Sequence, residues 1–265
     1  MCWRYAQRFG FEPDQLPKNL SLALGSGSAA PIDMASAYAS FANGGYRIEP
    51  YFIKRIEDGD GEILMQAEPF TVCETCIAPL DKPAEIDADT EQSLASSWMG
   101  FKPAERIIPA QNAYLMNSML RDVVRSGTGR QALSLGRGDL AGKTGTTNDQ
   151  VDAWFNGYNP ELVAVSWVGF DNPRNLGRYE TGGRAALPMW IDFMREALRS
   201  VPEEEFIPPV DMVTVRIDPD SGLLAHPNSE NAIYETFRAD EVPEATSSQS
   251  YGAGSEEEDS LIELF

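Results

Sequence analysis

Apolar and polar positions alternate most regularly between residues 139 and 170. Ala153-Trp154-Phe155-Asn156-Gly157-Tyr158 and Leu162-Val163-Ala164-Val165-Ser166-Trp167-Val168-Gly169-Phe170 are rich in aromatic and β-branched residues and read as two strands, with Asn159-Pro160-Glu161 as the turn between them. Asp139-Leu140-Ala141 leads into a further strand through Gly142-Lys143-Thr144-Gly145-Thr146-Thr147, closed by the turn Asn148-Asp149. Together these segments predict a three-stranded antiparallel meander. Elsewhere the period is helical. Pro31 to Asn43 reads as a helix with Pro in its first turn, apolar Met34, Tyr38 and Phe41, and Gly44-Gly45 as the stop. Pro109 to Val124 places Ala113, Met116, Leu120 and Val123 on one face, and a helix started by Pro188 carries Met189, Trp190, Phe193, Met194, Ala197 and Leu198; both stripes read as core. Tyr46 to Ile56 and Glu62 to Met65 read as strands around the turn Asp58-Gly59-Asp60-Gly61, and Val210 to Ile217 as one more, followed by the turn Asp218 to Gly222. Pro69 to Ala104 has little periodicity and several prolines, so it reads as a loop or insertion. No internal repeat is present.

The first strand of the meander carries Lys143-Thr144-Gly145-Thr146. Lys-Thr-Gly is one of three parts of the signature of Ser-Lys acyl-transfer enzymes that act on D-Ala-D-Ala or β-lactams; the others are Ser-x-x-Lys and a Ser-x-Asn type. The Lys143 ammonium can hold an anionic group and ease proton movement between hydroxyls. The hydroxyls of Thr144 and Thr146 can donate to the same anion. Gly145 lets an extended peptide lie close to the strand, and the N–H after it can serve as an oxyanion donor. Taken alone, the triplet is common, and a surface strand ending in a turn is the plain reading; the neighbouring residues change that.

Lys143-Thr144-Gly145-Thr146-Thr147-Asn148-Asp149, Asp152-Ala153-Trp154-Phe155 and Trp167-Val168-Gly169-Phe170-Asp171 resemble the penicillin-binding transpeptidase domain. Leu20 to Gly27, followed by Pro31 and Ala42-Asn43-Gly44-Gly45-Tyr46, resembles the stretch after the second motif of that domain, and Ser126-Gly127-Thr128-Gly129 resembles the loop upstream of Lys-Thr-Gly. From about Arg8 to about Leu198 the chain is similar to bifunctional (class A) penicillin-binding proteins of the Gram-negative 1a type. The resemblance implies an α+β fold, an antiparallel sheet flanked by helices, of the penicillin-binding and serine β-lactamase-like type and here incomplete. It implies a serine-type peptidoglycan D,D-transpeptidase or carboxypeptidase that cross-links stem peptides through an acyl-enzyme, binds β-lactams, and has a glycosyltransferase domain elsewhere in the parent protein. It assigns catalytic roles to Lys143 and Thr146, and substrate binding to Lys143, Thr144, Gly145 and Thr146, with no cofactor and no metal. It also implies the periplasmic side of the bacterial inner membrane, with the anchor upstream.

Two of the three parts of the signature are missing. No Ser has a Lys three residues on; Ser21, Ser36, Ser118 and Ser126 are followed at that spacing by Leu24, Ala39, Arg121 and Gly129. Ser229-Glu230-Asn231 has the letters of the second motif but lies after the meander, in the wrong order, and reads as a chance match. The nucleophile therefore has no position in this chain and is expected upstream of it.

The chain's 265 residues allow one or two domains and a sizeable core. No stretch approaches the apolar length of a membrane span, and Met1-Cys2-Trp3-Arg4-Tyr5 has the character of no signal peptide. With 21 basic against 41 acidic residues, the net charge of −20 argues against nucleic acid as a partner. Residues 1–200 read as the C-terminal part of a transpeptidase domain with the loop or insertion at 69–104, residues 201–238 as an extension, and residues 239–265 as an acidic disordered tail. A docking role for the apolar end Leu261-Ile262-Glu263-Leu264-Phe265 is the sharper reading of that tail and a loose terminus the plainer one. Cys73 and Cys76 form a C-x-x-C; with only Cys2 and His226 left to add, a zinc site is disfavoured, and a surface disulfide or two free thiols remain. His226, the lone His, sits in a loop after the meander and disfavours a Ser-His-Asp triad.

Two functions of different class follow: the distal portion of a transpeptidase, or a non-catalytic periplasmic binding or scaffold module that keeps the fold. On either reading the chain by itself is expected to form no covalent adduct with penicillin, and on the first it is expected to fold poorly alone. Trp154, Val163, Val165 and Trp167 lie on neighbouring strands, and some of them would face a layer that this chain does not supply.

Overall fold

The computed structural model describes residues 2–14, 16–72 and 102–245. Its contacts divide into a unit Met1–Pro209 and a unit Val210–Phe265. In the first, the order is α1 (Cys2–Ala6), α2 (Pro31–Ala42), β1 (Arg55–Glu57), β2 (Ile63–Gln66), β3 (Phe70–Thr71), β4 (Lys102–Pro103), α3 (Ala110–Arg125), β5 (Ala141–Thr146), β6 (Ala153–Tyr158), β7 (Val163–Val168) and α4 (Leu187–Ala197). No helix among the described residues is long and apolar enough to cross a membrane.

The meander forms as the alternation predicts: β5, β6 and β7 pair antiparallel in that order. Opposed residues share a face, so the register defines two faces. One carries Gly142, Thr144, Thr146, Ala153, Phe155, Gly157, Ala164, Ser166 and Val168. The other carries Ala141, Lys143, Gly145, Trp154, Asn156, Tyr158, Val163, Val165 and Trp167.

The first face is core, covered by α4. Pro188 sits in the first turn of that helix, where its missing N–H leaves no bond unmade. The Trp190 ring meets Phe155 edge-on with centroids 4.9 Å apart, and its Nε1–H donates to the Ala164 carbonyl at 3.0 Å. The indole fits because Gly157 lacks a Cβ; one there would fall 2.7 Å from Trp190. Truncating Trp190 to Ala should therefore cost about 3–5 kcal/mol. The buried stripe is Leu187, Trp190, Ile191, Met194 and Leu198. Met189 and Phe193, expected in the core, are instead exposed. The helix begins at Leu187, and Leu187 and Ile191, four residues apart, widen the stripe on the side away from them.

The second face is covered over one half. Tyr38 and Phe41 of α2, with Met116 and Leu120 of α3, pack on Ala141, Tyr158 and Val163. Trp154 and Trp167, at the other half, pack against each other in a tilted arrangement with centroids 6.0 Å apart, and Trp167 is exposed. α3 packs beside β5 and sends Val124 to the first face. The buried side of α3 is Ala113, Asn117, Leu120 and Val124, so Asn117 stands where the apolar stripe was expected to run through Met116 and Val123. Its amide donates to the Phe41 carbonyl at 3.0 Å and accepts from the Tyr158 hydroxyl, which ties α2, α3 and β6 together. A polar group is tolerated there because both its ends are satisfied. Burial pushes the Tyr158 phenol well above its ordinary range.

The strand expected from Tyr46 to Ile56 is largely absent: among the described residues Arg55–Glu57 pairs with Ile63–Gln66, and Tyr46 makes an isolated antiparallel bridge to Arg106. The segment before it bonds elsewhere. Arg47 N–H donates to Glu105, and Ile107 and Ile108 N–H donate to Gly45. Pro50 has no N–H with which to continue a ladder. The C-x-x-C and most of the loop expected over 69–104 lie outside the described residues; its flanks, β3 and β4, pair in parallel.

In the second unit β8 (Met212–Ile217) and β9 (Ile233–Arg238) form an antiparallel pair. The turn after β8 is fixed by Asp218, whose carboxylate accepts from the Ser221 and Asp220 amides, contacts that hold it below its ordinary pKa. β9 has no counterpart in the sequence reading, because Glu235 and Arg238 break up its short apolar run. His226 is exposed in the connecting loop.

Candidate functional site

Among the described residues β5 pairs with β6 alone, which leaves its other edge without a neighbouring strand. Thr147 N–H donates to the Asp152 carbonyl, on the β6 side, at 3.1 Å. Peptide groups alternate in direction along a strand. The Thr146 N–H and the Thr144 carbonyl therefore point to the open edge. The Lys143 side chain agrees: its exposed ammonium donates to the Thr144 carbonyl at 2.9 Å. Lys143 and Gly145 leave the strand toward one face, Thr144 and Thr146 toward the other. The two sets of side chains meet along the edge of the strand. The structure thus brings together the four residues singled out in the sequence along that edge.

Each threonine hydroxyl already has one partner. Thr146 Oγ1 accepts from Gly182 N–H at 3.0 Å, so its own proton is free for an outside acceptor. Thr144 Oγ1 lies 2.6 Å from Thr128 Oγ1. Gly182 is pressed onto the ladder: a Cβ there would fall 2.3 Å from the Trp154 carbonyl oxygen and 2.5 Å from that of Gly145. A Cβ on Gly145 would lie 3.1 Å from Trp154 Cβ. A side chain at residue 145 would therefore have to push its cross-strand neighbour back by a few tenths of an ångström.

Both ends of β5 are fixed. At its start, Asp139 is 1% exposed and takes Nε–H and Nη2–H of Arg137 at 2.9 and 2.6 Å. Asn159 and the Glu204 amide also donate to it, while Arg137 holds the carbonyls of Val201 and Pro202. Burial alone would raise the Asp139 carboxyl, but those hydrogen bonds, that of Arg137 foremost, bring it below its ordinary value. At the other end, the loop after β5 interlocks with residues 175–179: Leu176 N–H donates to the Gln150 carbonyl and Tyr179 N–H to the Gln150 side chain. Asp149, Gln150 and Tyr179 have φ of 56°, 52° and 73°, strained for non-glycine residues.

Thr128 and Gly182 are the participants that sequence reasoning missed. On sequence alone Ser126-Gly127-Thr128-Gly129 reads as a loop without a role and Thr181-Gly182-Gly183 carries no signature; a glycine beside a threonine in each is the available signal.

The family description "penicillin binding protein transpeptidase domain" matches residues 6–186. The chain is 44% identical over 262 residues to penicillin-binding protein 1A of Pseudomonas aeruginosa, covering 90% of this chain and 31% of that protein. It is 42% identical to penicillin-binding protein 1A of Vibrio cholerae, with the same coverage of 90% and 31%. The crystal structure of penicillin-binding protein 1A from Haemophilus influenzae is similar with a TM-score of 0.79 and 36% identity, over 92% of this chain and 37% of that one. The chain thus spans about a third of the length of the curated relatives it matches.

Proposed function

The chain belongs to the penicillin-binding protein transpeptidase family, and from that membership we propose that its first unit is the substrate-holding side of a peptidoglycan D,D-transpeptidase. The observation that carries this reading is the convergence of the Lys143 ammonium, the Thr146 N–H and two threonine hydroxyls on the open edge of β5. A stem peptide ending in D-Ala-D-Ala, or a β-lactam, lies extended along that edge. The Thr144 and Thr146 hydroxyls and Lys143 receive its terminal carboxylate. The Thr146 N–H faces the carbonyl oxygen on which charge develops.

The nucleophile is a serine hydroxyl from outside this sequence. Its oxygen bonds to the penultimate D-Ala carbonyl carbon, the peptide bond to the last D-Ala breaks, and the serine proton leaves on the departing amine. The acyl group then passes to the amine of a second stem peptide, which cross-links the two, or to water. Lys143 assists by its charge beside the hydroxyl relay. The parent protein, on this reading, also carries a glycosyltransferase domain and works on the periplasmic side of the inner membrane, with no nucleic-acid partner. The alternative reading for the chain by itself is a non-catalytic periplasmic binding or scaffold module that keeps the fold.

The test is to graft this chain in place of the matching segment of the Pseudomonas aeruginosa relative. The graft should be labelled by fluorescent penicillin, and the chain alone should not. A graft that melts cooperatively yet takes no label would favour the scaffold.

A further inference from the structure

We propose that Thr128 is a third hydroxyl of the carboxylate-holding group, a positioning residue that donates to Thr144 and so turns the Thr144 proton toward the ligand. The inference rests on the functional reading above and adds a residue to it.

Two hydroxyls 2.6 Å apart share one proton between them and leave one for an outside acceptor. On β5 the neighbouring hydroxyl already shows the pattern. Thr146 accepts from an N–H that cannot turn round, that of Gly182, so only its own proton can face a ligand. Thr128 stands behind Thr144 as Gly182 stands behind Thr146. An anionic ligand at Thr144 accepts the Thr144 proton, and the Thr128 hydroxyl then has to be the donor of the pair.

The mount of Thr128 is rigid. Ser126 and Gly127 N–H both donate to the Asp122 carbonyl, at 2.9 and 3.0 Å, and Gly129 N–H donates to the Val123 carbonyl at 2.9 Å. A Cβ on Gly127 would fall 2.9 Å from Val123 Cα, and one on Gly129 would fall 3.2 Å from the Val123 oxygen. On its far side a Cβ at Gly183 would lie 3.2 Å from the Thr128 carbonyl. The loop is thus clamped between the end of α3 and the turn that follows Thr181. Thr128 itself is exposed, so its hydroxyl is not there to satisfy a buried partner, and removing it should leave stability almost unchanged.

The test uses the graft with Thr128→Val, which keeps the shape and removes the hydroxyl, and Thr128→Ser, which keeps the hydroxyl. Acylation by benzylpenicillin is followed at several concentrations to separate the pre-covalent dissociation constant from the acylation rate within the complex. Benzylpenicillin methyl ester, which lacks the carboxylate, serves as the second probe. Thr128→Val should raise the dissociation constant for benzylpenicillin about fivefold, the scale of one lost hydrogen bond between neutral groups. It should leave the methyl ester and the melting temperature unaffected, and Thr128→Ser should restore binding. Equal losses with acid and ester, a loss that follows melting temperature, no rescue by Ser, or no loss at all would each overturn the inference while the functional reading stands. An unsubstituted graft that folds without labelling would overturn both.

Discussion

Replacing Gly182 by Ala adds one methyl group where the sheet has no room. The new Cβ would lie 2.3 Å from the Trp154 carbonyl oxygen and 2.5 Å from that of Gly145. Both atoms belong to the ladder between β5 and β6, so neither can rotate away. Ordinary contact begins near 3.4 Å, so the segment must withdraw by 3.4 − 2.3, about 1 Å. That movement stretches the bond from Gly182 N to Thr146 Oγ1, now 3.0 Å, to about 4 Å, beyond hydrogen-bonding range. Overpacking of this kind costs about 1–3 kcal/mol and the lost bond about 1 kcal/mol, so Gly182→Ala should destabilise by about 2–4 kcal/mol. Gly59→Ala is the control: nothing lies within 4 Å of the added Cβ, and its effect should stay within about 0.5 kcal/mol. Urea unfolding of the graft measures both, with an unchanged slope showing that stability shifted while the surface exposed on unfolding did not. Penicillin labelling of the same samples should fall for Gly182→Ala, because Thr146 loses the donor that orients its hydroxyl. A loss below about 0.5 kcal/mol, or a destabilised variant that labels at the normal rate, would refute the reasoning.

Three further perturbations follow. Lys143→Ala in the graft should lower the second-order rate of acylation at least about tenfold, read by timed fluorescent-penicillin labelling; an unchanged rate removes Lys143 from the site. Gly145→Val must push Trp154 Cβ back from 3.1 Å, so it should lower the melting temperature modestly and also block labelling; full labelling would show that no ligand runs along β5. Asp139→Ala leaves the Arg137 guanidinium without its carboxylate in a nearly enclosed site and should destabilise by about 3 kcal/mol at neutral pH in urea unfolding. The pH dependence has a definite sign. The folded Asp139 carboxyl sits below its ordinary 3.8, so its contribution is fully present above that value and is lost as the pH falls through the depressed folded value. Wild type should accordingly lose more stability than Asp139→Ala when the pH is taken below 3.8; parallel curves would deny the carboxylate that role.

The meander was legible because its information is local. Ala153-Trp154-Phe155-Asn156-Gly157-Tyr158 is β6 to the residue, and Asn159-Pro160-Glu161 is the turn that follows it. Lys143 to Thr146 could be placed on the first strand of the meander for the same reason, with the family resemblance supplying the chemistry. The partners of those residues were not legible. Thr128 is 16 residues from Thr144, and Gly182 is 36 from Thr146; only packing brings them together. The phase of the α4 stripe failed on a similar ground. Met189 and Phe193 are as apolar as Leu187 and Ile191, and only packing on the sheet, where the Trp190 indole lies against Gly157, shows which set turns inward. The expected strand from Tyr46 gave way because Gly45 and Arg47 pair with residues near 105–108, a contact that no local pattern announces.

The central claim is that the open edge of β5 receives the carboxylate and carbonyl of an acyl-D-Ala-D-Ala-like ligand. A crystal structure of the graft acylated by benzylpenicillin tests it directly. The account predicts the ligand carboxylate within about 3 Å of the Thr144 and Thr146 hydroxyls and the acyl carbonyl oxygen within about 3 Å of the Thr146 N–H. An acyl group seated elsewhere, with Thr144, Thr146 and the β5 edge facing only solvent, would contradict it.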